Sequence, residues 1–425
     1  MTANPRSTHV RNHPRAGSRL IIAALLAVVG LVGLGPVRPA AAASPVPAGY
    51  RLVASEALGP GVEHQTLRQD QPPQDVHVAR LAPGQAGRLL PVLANDVVSG
   101  SSGAEPTSSM CVRVKCVAAV NGDFFDGRGR PIGAMVAGGE LLTTPEAEHI
   151  LLRVDGRGQP TLRPGIDWGV GVSTADGRTL AIPAVNRALS GEGITIYSRR
   201  WGPSTATPAD GGTVEVALRL PGTATAALPS GPSAVAVGPA VAGGNQPIPA
   251  GHVVLSGRGA GARSLVDLAQ RAGGTAALNV SAGGIVSAIG GSPQLLQNGK
   301  TNYPTANRDS FTQQRHARTI VGITPSGEML LVTADARGAS SGLTLAEATQ
   351  LLSGLGAVDA LNLDGGSSTT FVGAGSVRNA PSGGAERGVA SALTVVPLPV
   401  GAPPDPVTAL LTQVTESVNS LLQPR

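Results

Sequence analysis

Four short segments carry the residue types from which chemistry could be built. Asn121-Gly122-Asp123-Phe124-Phe125-Asp126 ends an apolar run and is followed by Pro131-Ile132-Gly133. Gly290-Gly291-Ser292-Pro293 precedes Leu295-Leu296. His316-Ala317-Arg318-Thr319 leads into the apolar run Ile320 to Ile323, and Asn362-Leu363-Asp364-Gly365-Gly366-Ser367-Ser368-Thr369-Thr370 closes another. Asp123 and Asp364 are carboxylates able to attack a carbon, direct a water or stabilise a developing cation. The turn from Gly365 to Thr370 can offer main-chain amides and hydroxyls to an anion, with no Cβ in the way at its glycines. Arg318 can give two parallel hydrogen bonds to paired oxygens. Each segment also has a plain reading, as turn glycines, an Asx-type turn or an arginine at a strand edge. His316 either gives a proton or binds an anion, or is a structural histidine at a strand end. Phe124 and Phe125 either wall a site or belong to the core. Asp123, Asp126, Asn362 and Asp364 are hard oxygen donors of the kind Ca²⁺ or Mg²⁺ takes. Their spacing is not diagnostic, so the sequence requires no cofactor and leaves a metal undecided.

Other chemistries drop out on order and content. Gly338-Ala339-Ser340-Ser341-Gly342 fits the nucleophile-elbow pattern, which needs an acid and then a histidine downstream. The last histidine is His316, upstream of that serine, so the elbow cannot be completed. There is no phosphate-binding P-loop, no H-E-x-x-H and no EF-hand loop.

Taken together and in this order, the four segments resemble the phosphodiester glycosidase family, over roughly Cys116 to Val396. The most specific stretch is Leu361 to Val372, where the family reads L-N-L-D-G-G-G-S-S-T; here Ser367 stands at the third glycine and Thr369 at the second serine. The family's N-G-x-F-F, G-G-G-P-x-L and H-P-R-T segments recur, with Ser292 for a glycine and Ala317 for the proline. The resemblance implies hydrolysis of the bond between a sugar's anomeric carbon and a phosphate oxygen. The leaving phosphate gains a second negative charge, so cationic and hydrogen-bonding groups should hold it. On this reading Asp364 and Asp123 are the catalytic carboxylates. Arg318, Thr319, His316, Asn121, Asn362, Gly365, Gly366, Ser367 and Ser368 bind substrate or phosphate. Asp335 and Arg337 end a strand where the family pattern is looser. The implied partner is a phosphate-linked carbohydrate, in cell-wall or exopolysaccharide material. The alternative is a catalytically silent cell-surface module of the same fold that binds such polymers.

The elements that must hold these segments are short. From Cys111 the chain is a series of brief apolar runs punctuated by glycine, which suits a sheet-rich body. Met329 to Asp335 reads as a buried strand. Thr344 to Leu355 reads as a helix with Leu345, Ala348, Leu351, Leu352 and Leu355 on one face and a Thr344/Glu347 capping box. A further strand then delivers Asn362 and Asp364. The expected fold is α+β, a mixed β-sheet body with a few packed helices and a small N-terminal β region. Its expected divisions are a signal peptide (1–43), an N-terminal β-rich region (44–110), the phosphodiester glycosidase domain (111–396), a Pro-rich linker (397–406) and a C-terminal amphipathic helix (407–425).

Composition narrows the setting. Of 425 residues 41% are hydrophobic, enough for a sizeable core. The net charge of +5 comes from Arg6, Arg11, Arg15, Arg19 and Arg38; without them 27 basic residues face 27 acidic ones. No basic patch is left to argue for nucleic acid. Those arginines flank the apolar run Leu20 to Leu34, and Ala40 to Ala43 follow, the three parts of an export signal. The other reading is an uncleaved anchor, for which the run falls short of the ~20 residues of a membrane span. The mature chain has no later span, and the expected location is secreted or cell-surface. Export would let Cys111 and Cys116 form a disulfide; two structural thiols are the other reading. The sequence sets no oligomeric state.

Overall fold

Short strands with alternating or continuous apolar residues pair into antiparallel sheets through most of the chain. The computed structural model describes residues 45–85, 87–98, 104–222, 227–303 and 310–397. The signal peptide, the C-terminal helix and all of the linker after Pro397 lie outside the described residues.

The sheet that matters most has eight strands in the order Tyr50–Gly59, Val62–Asp70, Pro73–Leu81, Met329–Ala334, Arg318–Ile323, Asp359–Asn362, Gln294–Gln297 and Lys300–Thr301. Arg318–Ile323 is buried at every residue, as a strand covered on both faces must be. Met329–Ala334 and Asp359–Asn362 flank it, each antiparallel to it, so these two run in the same direction. A same-direction pair needs a crossover, and the chain between them supplies a helix. The described helices are α1 (Thr107–Val114), α2 (Ala260–Arg271), α3 (Ser310–Gln313) and α4 (Leu345–Gly354).

Helix α4 forms as its sequence predicts. Thr344 Oγ1 accepts from the Glu347 N–H at 3.2 Å, and the Glu347 carboxylate accepts from the Thr344 N–H at 2.9 Å. Such a cap stabilises a helix by about 1 kcal/mol. Leu345, Leu351, Leu352 and Leu355 are at most 2% exposed, packed on Ile320, Leu330 and Val332 of the sheet. Each buried leucine contributes about 1.5–3 kcal/mol. The opposite face of the sheet packs Val321, Leu331 and Leu361 against Val120, Phe371 and Leu393. These belong to a five-stranded sheet of Ser376–Val377, Phe371–Gly373, Ala118–Asn121, Ser391–Val396 and Arg88–Leu93.

The body is sheet-dominated, with α+β character only in the few packed helices; a second eight-stranded sheet, built within residues 169–281, packs on α2 around its own core. The N-terminal β strands pair with strands from the end of the chain. Pro73–Leu81 pairs along its length with Met329–Ala334, and Arg88–Leu93 pairs with Ser391–Val396. Strand edges recruit partners by hydrogen-bonding need, not by nearness in sequence. Cys111, in α1, and Cys116 are disulfide-bonded. No helix among the described residues is long and apolar enough to cross a membrane.

Candidate active site

The sequence segments converge where strand ends meet, and Asn121 is the joint. It ends the strand Ala118–Asn121 and is wholly buried. Its Oδ1 accepts from Thr319 Oγ1 at 2.6 Å and from the Thr370 N–H at 3.1 Å, and its Nδ2 donates to the Asp364 carbonyl at 2.7 Å. The Asp364 N–H donates to the Gly122 carbonyl at 3.2 Å. Asn362 ties in the third segment, its Nδ2 donating to the carbonyls of Ser292 at 2.9 Å and Leu363 at 2.7 Å. Asn121, Thr319 and Asn362 therefore spend most of their polar atoms locking the Asp123 and Asp364 loops together. Asn362 Oδ1 and Thr369 Oγ1 are buried with no hydrogen-bond partner among the described residues, unspent capacity that is uncommon in a folded interior.

Asp123 is 1% exposed, and three donors converge on it. The N–H groups of Phe124 and Gly133 reach its two oxygens at 2.8 and 2.6 Å, and His149 Nδ1 lies 2.9 Å from Oδ1. The glycines of the second segment have their reason here. A Cβ on Gly290 would sit 2.4 Å from Asp123 Oδ2, inside contact distance. The Phe124 ring packs edge-on to His149 and to Phe311.

Asp364 is half-buried at the start of the glycine turn. Burial raises its carboxyl above the ordinary range. The Ser368 hydroxyl, the Gly365 N–H and the Arg387 charge pull it down, and the nearby Asp123 adds to the rise. The group thus holds a proton to higher pH than a free aspartate, as a proton donor needs. The turn itself departs from expectation. Gly366–Ser368 closes a 3₁₀ turn, with Gly366 at φ +61°. The N–H groups of Gly365, Gly366, Ser368, Thr369 and Thr370 all donate to oxygens within the protein. These five amides do not form an anion nest, because the Asp364 and Asn121 side chains, the Ala317 carbonyl and the turn itself consume them. What the turn exposes is the Ser367 hydroxyl, since Ser368, Thr369 and Thr370 are wholly buried. Arg387 Nη1 lies 3.3 Å from Ser367 Oγ and 3.2 Å from Ser368 Oγ, with its guanidinium 5.1 Å from the centre of the Phe125 ring.

Arg318 also departs from expectation. It is wholly buried and donates to the carbonyls of Leu343 at 2.9 Å, Gln314 at 3.1 Å and Phe311, and it stacks over the Phe311 ring at 4.5 Å. A strand-start arginine whose sheet is covered on both faces turns its fork onto main chain, and these bonds brace the segment 311–314. His316 pairs through its backbone with Leu343 in an isolated bridge and stacks on Phe311 at 6.4 Å. Asp126 is bound to Arg130, as its own loop closure requires. No group of three or more acidic, histidine or cysteine side chains that could hold a metal occurs among the described residues.

Sequence reasoning missed His149 and Arg387. His149 lies 26 residues from Asp123 and Arg387 19 from Ser368; no motif spacing marks either. A buried aspartate's need for a donor is the only signal that could have prompted a search.

Comparison with known proteins agrees with the motifs. Residues 232–396 match the phosphodiester glycosidase family, which bears out the resemblance over its C-terminal part; the Asn121–Phe125 segment lies outside the match. The chain is 38% identical over 78 residues to mouse N-acetylglucosamine-1-phosphodiester alpha-N-acetylglucosaminidase, covering 18% of this chain and 15% of that protein's length. Two solved structures share the fold. A hypothetical protein from Synechocystis has 24% identity and a TM-score of 0.60, over 82% of this chain and 68% of its own. A Burkholderia pseudomallei protein, named as a candidate exported protein, has 19% identity and a TM-score of 0.63, over 83% of this chain and 98% of its own.

Proposed function

We propose that this chain is an exported enzyme that hydrolyses the sugar–phosphate bond of glycosyl-1-phosphodiesters in cell-wall or exopolysaccharide material. The observation that carries the reading is the convergence of two unlike carboxyls, Asp123 and Asp364, beside a hydroxyl turn with an arginine on it. Arg387 and the Ser367 hydroxyl hold the phosphate, in the role first given to Arg318, and the buried Ser368 hydroxyl positions Arg387. Asp364 shares its proton with a phosphate oxygen as charge develops there. Asp123, buried and held by His149 and the Gly133 N–H, lends its negative charge to the anomeric carbon as positive charge develops there. The anomeric C–O bond breaks with its electron pair on the phosphate oxygen, and water supplies the hydroxyl of the free sugar.

The test is product analysis on the methyl phosphodiester of N-acetylglucosamine 1-phosphate and on matching diesters of other sugars. Equimolar free sugar and methyl phosphate are expected. Binding of these diesters with no turnover of any would replace the enzyme with the silent binding module.

A further inference from the structure

The hairpin that begins at Asp123 has a second face, away from the carboxylate. There Asp126 and Arg130 fold the loop back on itself. The Asp126 carboxylate accepts from the N–H groups of Arg128 and Arg130, each at 2.9 Å, and pairs with the Arg130 guanidinium. This face forms one wall of a cleft of about 500 Å³, whose other wall is Ala188, Leu189 and the segment Thr205 to Pro208. Tyr197 and Trp201 floor it, packed together at 5.2 Å. Ala206 is held at φ +53° on the rim between the buried Thr205 and Thr207, a conformation that stores strain.

Hydrogen bonds join the cleft wall to the loop that holds Asp123. Arg187, next to Ala188, donates to the carbonyls of Pro131, Ile132 and Gly133, and the Gly133 N–H is the one that holds Asp123. Arg130 on the cleft wall pairs with Asp126 and lies 4.0 Å from Glu146, and the exposed Arg128 has no ion pair among the described residues. A groove with one unspent guanidinium on an apolar floor, next to the loop that holds Asp123, suits a further anionic unit of the proposed substrate.

We propose that this cleft is a subsite for the next phosphodiester of a phosphate-linked glycan, so that the substrate is a polymer and not a single glycosyl phosphate. The inference rests on the reading of the active site given above. Binding energy collected there, on a part of the substrate that does not react, favours polymers over short diesters.

The test compares kcat/KM for the methyl diester of N-acetylglucosamine 1-phosphate with that for a 1-phosphodiester-linked tetramer of the same sugar. The wild-type chain should prefer the tetramer by about tenfold or more, the scale of one charge-assisted hydrogen bond. Arg128→Gln, an exposed substitution that leaves the fold intact, should reduce that preference toward unity. Equal preference in both proteins, with active catalysis, overturns the subsite and leaves the active-site reading standing. Turnover of neither substrate counts against that reading instead. Calorimetric binding of the tetramer then judges the subsite alone, and affinity unchanged by Arg128→Gln overturns it.

Discussion

Asp335 should make the protein's stability depend on pH in the direction opposite to most acidic residues. It follows the strand Met329–Ala334 and is 3% exposed. Its carboxylate accepts from Asn379 Nδ2 at 3.1 Å and the Ala380 N–H at 3.0 Å, and Asn379 also donates to the Thr369 carbonyl, behind the hydroxyl turn. Burial pushes its pKa up from 3.8 to about 6, with the two hydrogen bonds opposing. Because the folded value lies above the unfolded one, the native state holds the proton more tightly. The stability this contributes is complete below pH 3.8 and is lost as pH rises through about 6. About two pKa units correspond to roughly 3 kcal/mol. His77 works the other way over nearly the same range. Burial depresses it from 6.5 to about 4, so its contribution is present above pH 6.5 and lost as pH falls through about 4. The wild-type profile therefore hides both, and the difference between variant and parent is the quantity to read. Asp335→Asn keeps an acceptor oxygen and cannot ionise. Urea unfolding from pH 3 to 7 should show the variant gaining on the parent by roughly 3 kcal/mol across that range, with the m value unchanged. A difference that stays flat with pH would refute the account of Asp335 as a buried acid.

Four further outcomes follow from the same geometry. Asp364→Asn should lower turnover on glycosyl-1-phosphodiesters about 10²-fold or more while thermal unfolding moves little; near wild-type turnover would remove Asp364 from the chemistry. Arg387→Lys should cut kcat/KM about tenfold or more through loss of the planar fork, with unfolding unchanged because the side chain is exposed. Arg318→Lys should do the reverse, destabilising the fold by about 2–4 kcal/mol as buried carbonyls lose donors, with KM following only as far as folded protein is lost. Thiol labelling of the denatured, unreduced protein should modify neither Cys111 nor Cys116, and stoichiometric labelling of both would reject the bridge.

Local rules were enough for much of this protein. The capping box and apolar stripe of α4 were legible because a helix obeys contacts three and four residues apart, which lie side by side in the sequence. The chain segments around Asp123, Gly290 and Asp364 were legible because glycine clusters and polar strand ends have few other uses. What each residue does was decided by tertiary structure. The turn after Asp364 lost its amides to the Asp364 and Asn121 side chains, the Ala317 carbonyl and its own 3₁₀ hydrogen bonds, and Arg318 was drawn onto carbonyls by helix α4 and strands covering both faces of its sheet. Arg387 and His149 reached the site from loops no spacing rule connects to it. Asn121 became a joint only when three strand ends met around it. Such assignments depend on which donors and acceptors burial leaves unsatisfied, and that is settled only when distant strands pair.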